Sequence, residues 1–591
     1  MSWNKYIQHR FLFLPVSAGV LAFSSMVLFS SETQAQPDVI PIVSAPVEAS
    51  PLMEQIGIMP ALETGRVMSV KFVDPNGLKA FYTERDFKPL WLRGRGGRSD
   101  KLEQVLDVLG DAWRHGMNPE DYHQNEIISL LAAEDDESLF ALELITSDAV
   151  VRYIRDLSAM RVAPKLASIS IRDMQMHLLT EDVLGYLSGK SNVRSALHAF
   201  EPKGNLYTQM QEELNDLLHS SPKPYEDILP IRMNGLLKPG MSAKSVSAIR
   251  VRLGVNAPSA EQVGYYDDTL ARAVIRFQKK NGLQADGVIG PKTLEILNIT
   301  RQQKIEQLIA NLERLRWVAR DKPERYILVN IPSAQLWAIE NGRVVLDMPV
   351  ILGRKKRATE SFVTEIKGIR FNPNWTIPPT IKKEDFLPNL VEDPYYATNR
   401  GVEFVQGYGE NAMTLDPGTI DWSMITWEEF KQIRMIQAPG QGNPLGQIRV
   451  LMPNRYNIYL HDTSTPQDFQ KGNRFISSGC VRVSDPEALT NFIMGANDSW
   501  SGQLFSEVIG HGRTEEKFIE ESLPVFILYQ TVWLNEDGDI VYGPDVYDRD
   551  RDLINYMKQN KLFALPTVKK TKDQIVYNSP REGVAPSRFN P

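Results

Sequence analysis

Cys480 is the only cysteine in 591 residues, and His461 stands nineteen residues before it, within the stretch Tyr456 to Val483, YNIYLHDTSTPQDFQKGNRFISSGCVRV. A lone thiol has no internal disulfide partner, so it is a buried passenger, half of an intermolecular bridge, or a nucleophile. Its flanks suit the last: Ser477, Ser478 and Gly479 let the backbone approach a substrate, and a basic Arg482 follows. A cysteine attacks a carbonyl as thiolate, and a thiol with an ordinary pKa of about 8.5 needs a base or a neighbouring positive charge to ionise. His461 is the candidate base, because two adjacent strands joined by the intervening loop can set imidazole and thiol side by side. The same spacing also allows His461 to cap a turn through Asp462. Tyr459, two residues before His461 on the same strand pattern, shares its face and could line a cleft or simply pack there.

The elements that must position this pair are strands. From Arg325 the period changes to two, in RYILVNIPSAQLWAIENGRVVLDMPVILG, with Asn341-Gly342 as a hairpin signal. Strand patterns resume at 447–451, 457–460, 480–483 and 525–533, giving a β-rich domain over 301–560 that opens on an amphipathic helix with Ile305, Leu308, Leu312 and Leu315 in phase. Between 378 and 444 the strand signal weakens and Trp422 and Trp427 stand among helical and loop-like residues, with Trp375 just ahead. The segment reads as a helical or loop cap inserted just before the catalytic stretch, or as an ordinary packing excursion.

The rest of the chain reads as support. Residues 66–230 carry helical periodicity, as in Leu102, Val105, Leu106 and Leu109, with His115 and His123 as surface or turn histidines. Residues 231–300 hold three short helical patterns, the last opened by Pro291 after Gly290. The whole is multidomain α+β: a helical N-terminal scaffold, a three-helix module and a β-rich domain. Residues 36–65, with five prolines, read as a linker without a fold, and the proline-bearing tail 561–591 as disordered. At the start, Lys5, His9 and Arg10 precede an apolar run from Phe11 to Phe29 and Thr33-Gln34-Ala35, the pattern of a secretory signal over 1–35. Cleavage after Ala35 is favoured over retention as a membrane anchor. Export would put the free thiol in an oxidising compartment, where catalysis is a reason for it to stay unpaired.

Other chemistries fit poorly. Net charge is −7 with no sustained basic run, which argues against nucleic acid as partner. Eight histidines with no i, i+4 pair and one cysteine make no metal site. Ser220-Ser221-Pro222-Lys223 matches a Ser-x-x-Lys nucleophile by letters, but Pro222 disrupts the helix start that motif needs.

Two segments carry a resemblance. LKPGMSAKSVSAIRVRLG and YDDTLARAVIRFQKKNGLQADGVIGPKTLEILN, within 231–300, resemble the peptidoglycan-binding-like three-helix module. IYLHDT and RFISSGCVRV resemble the signature of L,D-transpeptidases with a YkuD-type catalytic domain, a histidine followed by Ser/Thr-x-Gly-Cys. FYTERDFKPLW at 81–91, RHGMNPEDYH at 114–123, FNPNWTIPP at 371–379, APGQGNPLGQIRVLMPNRY at 438–456 and PVFILYQTVWLNEDGDIVYGPDVY at 524–547 resemble the large YcbB-type branch. Ser478 stands where many members have His, Arg482 where many have Asn, and Thr359-Glu360 where Thr-Pro is common.

The resemblance implies a periplasmic acyltransferase acting on peptidoglycan stem peptides, without cofactor, and open to a carbapenem adduct on Cys480. Cys480 would attack the carbonyl of the third residue of a tetrapeptide donor and expel D-alanine. His461, ion-paired with the thiolate, would protonate the leaving amine, and an acceptor amine would complete a 3-3 cross-link. Gly479 and Cys480 N–H groups are the expected oxyanion donors. Ser477 would orient the imidazole or hold its own loop. Arg482 suits a stem carboxylate or a structural salt bridge, and Trp375 and Tyr459 a substrate wall or core packing. Water as acceptor would give an L,D-carboxypeptidase, and loss of catalysis a wall-binding scaffold. Other cell-wall enzymes are the expected partners, and the membrane only through an uncleaved N-terminus.

Overall fold

Why the scaffold helices assemble is clearest at Asp136–Ser158, which is buried along nearly its whole length, polar residues included. Glu143 accepts hydrogen bonds from Tyr82 Oη (2.7 Å), Leu90 N (2.6 Å) and Trp91 N (3.0 Å), while Trp91 Nε1 donates to Ser147 Oγ (2.8 Å). A carboxylate buried this deeply is tolerable only with such a set of donors. The computed structural model describes residues 58–566 except 94–96, 159–160, 163–177, 221–229, 319–322, 496–499 and 536. The expected export signal, most of the linker and tail residues 567–591 lie outside the described residues.

Two expected boundaries move. Residues 58–65 are not linker: Ile58–Thr64 is a helix with Ile58 and Leu62 in the scaffold core, where two apolar side chains on one face outweigh the proline at 60. The tail's first residues, expected to be disordered, include Leu562, Phe563 and Leu565, which pack beside the C-terminal helix Arg549–Gln559. Of the two histidines expected at the surface or in a turn, His115 is buried against Tyr207 Oη (2.8 Å), whereas His123 does stand in a turn, with φ of 56°, and meets Asp148 (3.0 Å).

The module's helices Ser245–Leu253, Asp268–Lys280 and Pro291–Leu297 enclose Val246, Ile249, Leu270, Val274 and Leu297. Gln278 holds the Asp286–Val288 turn, donating to Val288 O (2.9 Å) and accepting from Gly287 N (2.8 Å). The helix Arg301–Arg316 that follows is not merely amphipathic. Its polar side, with Asn311, Glu313, Arg314 and Arg316, is buried as well. Arg316 pairs with Glu313 and donates to His115 O (2.9 Å), and Asn311 bonds Thr531 in both directions (2.6 and 2.8 Å). This helix is therefore the polar spine joining scaffold and β domain. Glu313→Ala, which strands the Arg316 guanidinium, is expected to cost about 3–5 kcal/mol of stability, read as a lower denaturant midpoint.

The β domain comprises β1 Arg325–Asn330, β2 Gln335–Glu340, β3 Arg343–Gly353, β4 Phe362–Phe371, β5 Trp375–Thr376, β6 Val402–Gln406, β7 Met413–Leu415, β8 Ile433–Gln437, β9 Ile448–Leu451, β10 Leu460–His461, β11 Phe475–Ser477, β12 Val481–Val483 and β13 Glu515–Leu528. Eight of them pair in the order β3-β12-β10-β9-β4-β13-β1-β2, and β2 pairs back with β3, so the sheet closes. β11 lies parallel along the end of β3. The β2–β3 hairpin turns at Asn341 and Gly342, both with positive φ, as expected for that dipeptide. One face packs Val350, Phe371, Ile448, Val450, Leu460, Val481 and Val483 into the core, under the helix Pro486–Met494.

The insertion between β4 and β9 is more strand-like than its sequence suggests. β5, β6, β7 and β8 form a separate four-stranded sheet over a core of Phe386, Leu390, Phe404, Trp422 and Phe430. Its strands run two to five residues, too short for period two to stand out.

Candidate active site

Strand register assembles the site. β10 runs parallel to β12 with Leu460 beside Val481 and His461 beside Arg482. A parallel pair needs a crossover of a dozen or more residues, which the segment from 462 to 480 supplies. Leu460 and Val481 point into the core, so the alternate residues, Tyr459, His461, Cys480 and Arg482, share the other face. Val481 N donates to Tyr459 O (3.0 Å), fixing Cys480 beside Tyr459. The two rings of Tyr459 and His461 are 5.6 Å apart.

His461 is buried, and its Nδ1 donates to Asp462 O at 2.5 Å. That bond puts the ring proton on Nδ1 and leaves the Nε2 lone pair as the basic position. Burial first, then the Arg482 and Arg449 charges, push its pKa down to about 3 against the pull of the Asp462 carbonyl. Cys480 is half-buried, and its thiol donates to Asn457 O across 3.7 Å. Burial raises the thiol pKa, while hydrogen bonds from Tyr459 and the charges of Arg449 and Arg482 oppose the rise. Both directions favour an uncharged thiol beside an uncharged imidazole. The ion pair expected from the sequence is disfavoured by both shifts and calls for transfer of the thiol proton to Nε2.

The other expected site residues separate. Ser477 does not reach the imidazole: its Oγ donates to Cys480 O (2.7 Å) and accepts from Gly479 N (3.1 Å). Short serine-to-backbone bonds compete successfully with a longer reach. For the same reason the Gly479 N–H is already engaged and is not a free oxyanion donor, whereas no hydrogen bond within the described residues engages the Cys480 N–H. Gly479 instead supplies the turn, with φ of 115°, a region open to glycine. Tyr459 joins the site. Arg482 stands on its face, with Asp468 at 3.8 Å. Trp375 does not join: it is half-buried on β5 against the insertion's core, 6.3 Å from the Phe386 ring.

Three supports escaped sequence reading. Thr359 Oγ1 donates to Gly479 O (2.8 Å) and accepts from Gly353 N (2.9 Å), tying the nucleophile's turn to the end of β3. Arg449 on β9 pairs in register with His461 and lies over the Tyr459 ring, 4.2 Å from its centre. Arg357, from the β3–β4 connection, grips Asp385 through two bonds (2.6 and 2.8 Å), meets Glu384 (3.0 Å) and donates to Ser478 Oγ (3.0 Å). It thus ties the insertion to the Cys480 turn. Arg357→Ala should remove about 1–3 kcal/mol of that docking, seen as faster limited proteolysis within 378–444 with little change in the main unfolding transition.

Comparison with known proteins agrees with this architecture. Residues 324–525 match the family model described as the L,D-transpeptidase catalytic domain, 76–214 a "Scaffold domain", and 251–297 a "Putative peptidoglycan binding domain". The chain is 33% identical over 257 residues to a "Putative L,D-transpeptidase" of Haemophilus influenzae, covering 43% of this chain and 50% of the relative. It is 39% identical over 66 residues to a "Probable N-acetylmuramoyl-L-alanine amidase" of Bacillus licheniformis, covering 11% of this chain and 19% of the relative. The chain thus spans half the length of the first curated relative and about a fifth of the second. Among solved structures it resembles the L,D-transpeptidase of Stackebrandtia nassauensis, 13% identical over 49% of this chain and 94% of the other, with a TM-score of 0.21.

Proposed function

We propose that this chain, which carries a YkuD-type L,D-transpeptidase catalytic domain and a peptidoglycan-binding-like domain, is a peptidoglycan L,D-transpeptidase working by cysteine acyl transfer. The observation that carries the reading is the common face of Tyr459, His461, Cys480 and Arg482, fixed by the β10–β12 register, in a domain of that family. His461 Nε2 takes the Cys480 proton as Sγ attacks the carbonyl carbon of the third stem residue. The developing oxyanion is met by the unengaged Cys480 N–H. Collapse breaks the bond to D-alanine, whose amine leaves with the proton returned by His461, and a thioester remains. An acceptor amine then attacks the thioester, gives up a proton to the imidazole and releases the thiolate, leaving a 3-3 cross-link. A peptidoglycan substrate requires work outside the cytoplasm, in the periplasm. Among the described residues no helix is long and apolar enough to cross a membrane.

Incubation of the purified chain with disaccharide-tetrapeptide, followed by mass spectrometry, tests the reading. Cross-linked dimer is the expected product. Tripeptide alone would make water the acceptor, and an unchanged substrate would overturn the enzyme reading.

A further inference from the structure

A single row of residues crosses the sheet on the face that carries Cys480. Arg482, His461, Arg449, Arg370 and Glu516 are register partners on β12, β10, β9, β4 and β13. Their strand neighbours Val481, Leu460, Val450 and Phe371 all point into the core, so the row is one-sided. The arginines in it are unequally matched. Arg370 holds Glu516, with Nε donating to a carboxylate oxygen at 2.7 Å. Arg482 has only a distant Asp468, and Arg449 has no ion pair among the described residues. In both Arg449 and Arg482 the Nε is buried without a hydrogen-bond partner. Two guanidinium groups thus flank a buried imidazole, each with a buried Nε that donates to no described residue.

Such an arrangement is costly for folding alone. Like charges two strands apart repel, and a buried donor without an acceptor forfeits its desolvation energy. Planar guanidinium forks are suited to carboxylates, which they bind by paired charge-assisted bonds. We propose that Arg449 is a substrate-anchoring residue, forming with Arg482 a two-guanidinium carboxylate site astride His461. The site selects donors with a free carboxylate within reach of the scissile carbonyl. It rests on the transpeptidase reading for the identity of the donor. Two carboxylates of a stem tetrapeptide qualify: the terminal one on the departing D-alanine, and the side-chain one present when the third residue is a diamino diacid. A bound carboxylate also offsets the two charges that, after burial, hold the imidazole neutral, so the base gains proton affinity when a donor is in place.

Binding to the full chain carrying Cys480→Ala, measured by calorimetry, tests this without turnover. Three disaccharide-tetrapeptide donors serve as probes: both carboxylates free, the terminal one amidated, and the side-chain one amidated. Adding Arg449→Gln should weaken binding of the free donor roughly tenfold to a hundredfold. It should have little effect on the donor whose amidation removes the contacted carboxylate, and that donor identifies the source. Arg449→Lys should recover part of the loss. Equal losses for all three donors, no loss, or no measurable binding of the free donor would overturn the proposal. If Arg449→Gln fails to fold, the donor comparison in the Cys480→Ala chain alone decides, because amidation without effect is incompatible with the site. Turnover separates this from the reaction itself: an active chain whose binding ignores Arg449 defeats only the carboxylate site. Arginine-dependent binding in a chain that transfers no acyl group defeats only the transferase reading.

Discussion

Cys480→Ala is expected to lower release of D-alanine from tetrapeptide muropeptides by on the order of 10⁴-fold or more, to the detection limit, with the fold intact. The thiol is the only atom in the chain able to form the thioester, and the remaining donors cannot replace a missing nucleophile. Folding should tolerate the change because Cys480 is half-buried and the bond its thiol donates to the Asn457 carbonyl spans 3.7 Å, so the effect on stability stays within about 1 kcal/mol. Any carbapenem adduct that the unmodified chain forms in intact-mass spectrometry should be absent from the variant. Iodoacetamide should alkylate the unmodified chain ever faster with rising pH, with a midpoint above the usual thiol range, since burial of Cys480 favours the protonated form. Undiminished D-alanine release by the variant would end the thiol mechanism.

Much of this centre is legible in the residues themselves. A lone cysteine behind Ser-Ser-Gly, with a histidine on the preceding strand pattern, identifies the two groups whose chemistry is needed, and period two locates their domain. The partners are another matter. Arg449 lies in the sequence well apart from Cys480 and reaches the site only through strand pairing, and register is a non-local property that spacing does not reveal. Ser477 and Gly479 sit close to the nucleophile in sequence, where the serine could orient the imidazole or hold its own loop and the glycine could offer its N–H to substrate. They bond each other because a two-residue reach is easier to satisfy than one across strands. The insertion's sheet was hidden by strand length, and the burial of Glu313 and Arg316 by the amphipathic period of their helix. That period shows one apolar stripe and is silent about a polar face covered by other domains.

His461→Gln is expected to lower turnover by roughly 10³-fold, the scale of a lost general base and acid, with donor binding largely kept. Glutamine retains an amide donor for the Asp462 carbonyl but has no lone pair able to take and return a proton. The pH dependence separates this role from a structural one. With its pKa held at about 3 by burial and by Arg482 and Arg449, the imidazole of the free chain is uncharged throughout the range from pH 5 to 8. The profile of kcat/KM should therefore climb with the thiol and show no break near 6.5. Stability carries the complementary signature. Between pH 6.5 and 3 the unfolded chain protonates this histidine and the folded chain does not, so acidification favours unfolding. The depressed pKa makes the contribution at pH 4 about 3 kcal/mol worse than at pH 7. In His461→Gln that contribution is absent, so the variant should lose less stability between pH 7 and pH 4 than the unmodified chain in urea unfolding. An equal loss in both would mean that His461 titrates in the folded protein near its ordinary value, and the neutral resting pair would have to be abandoned.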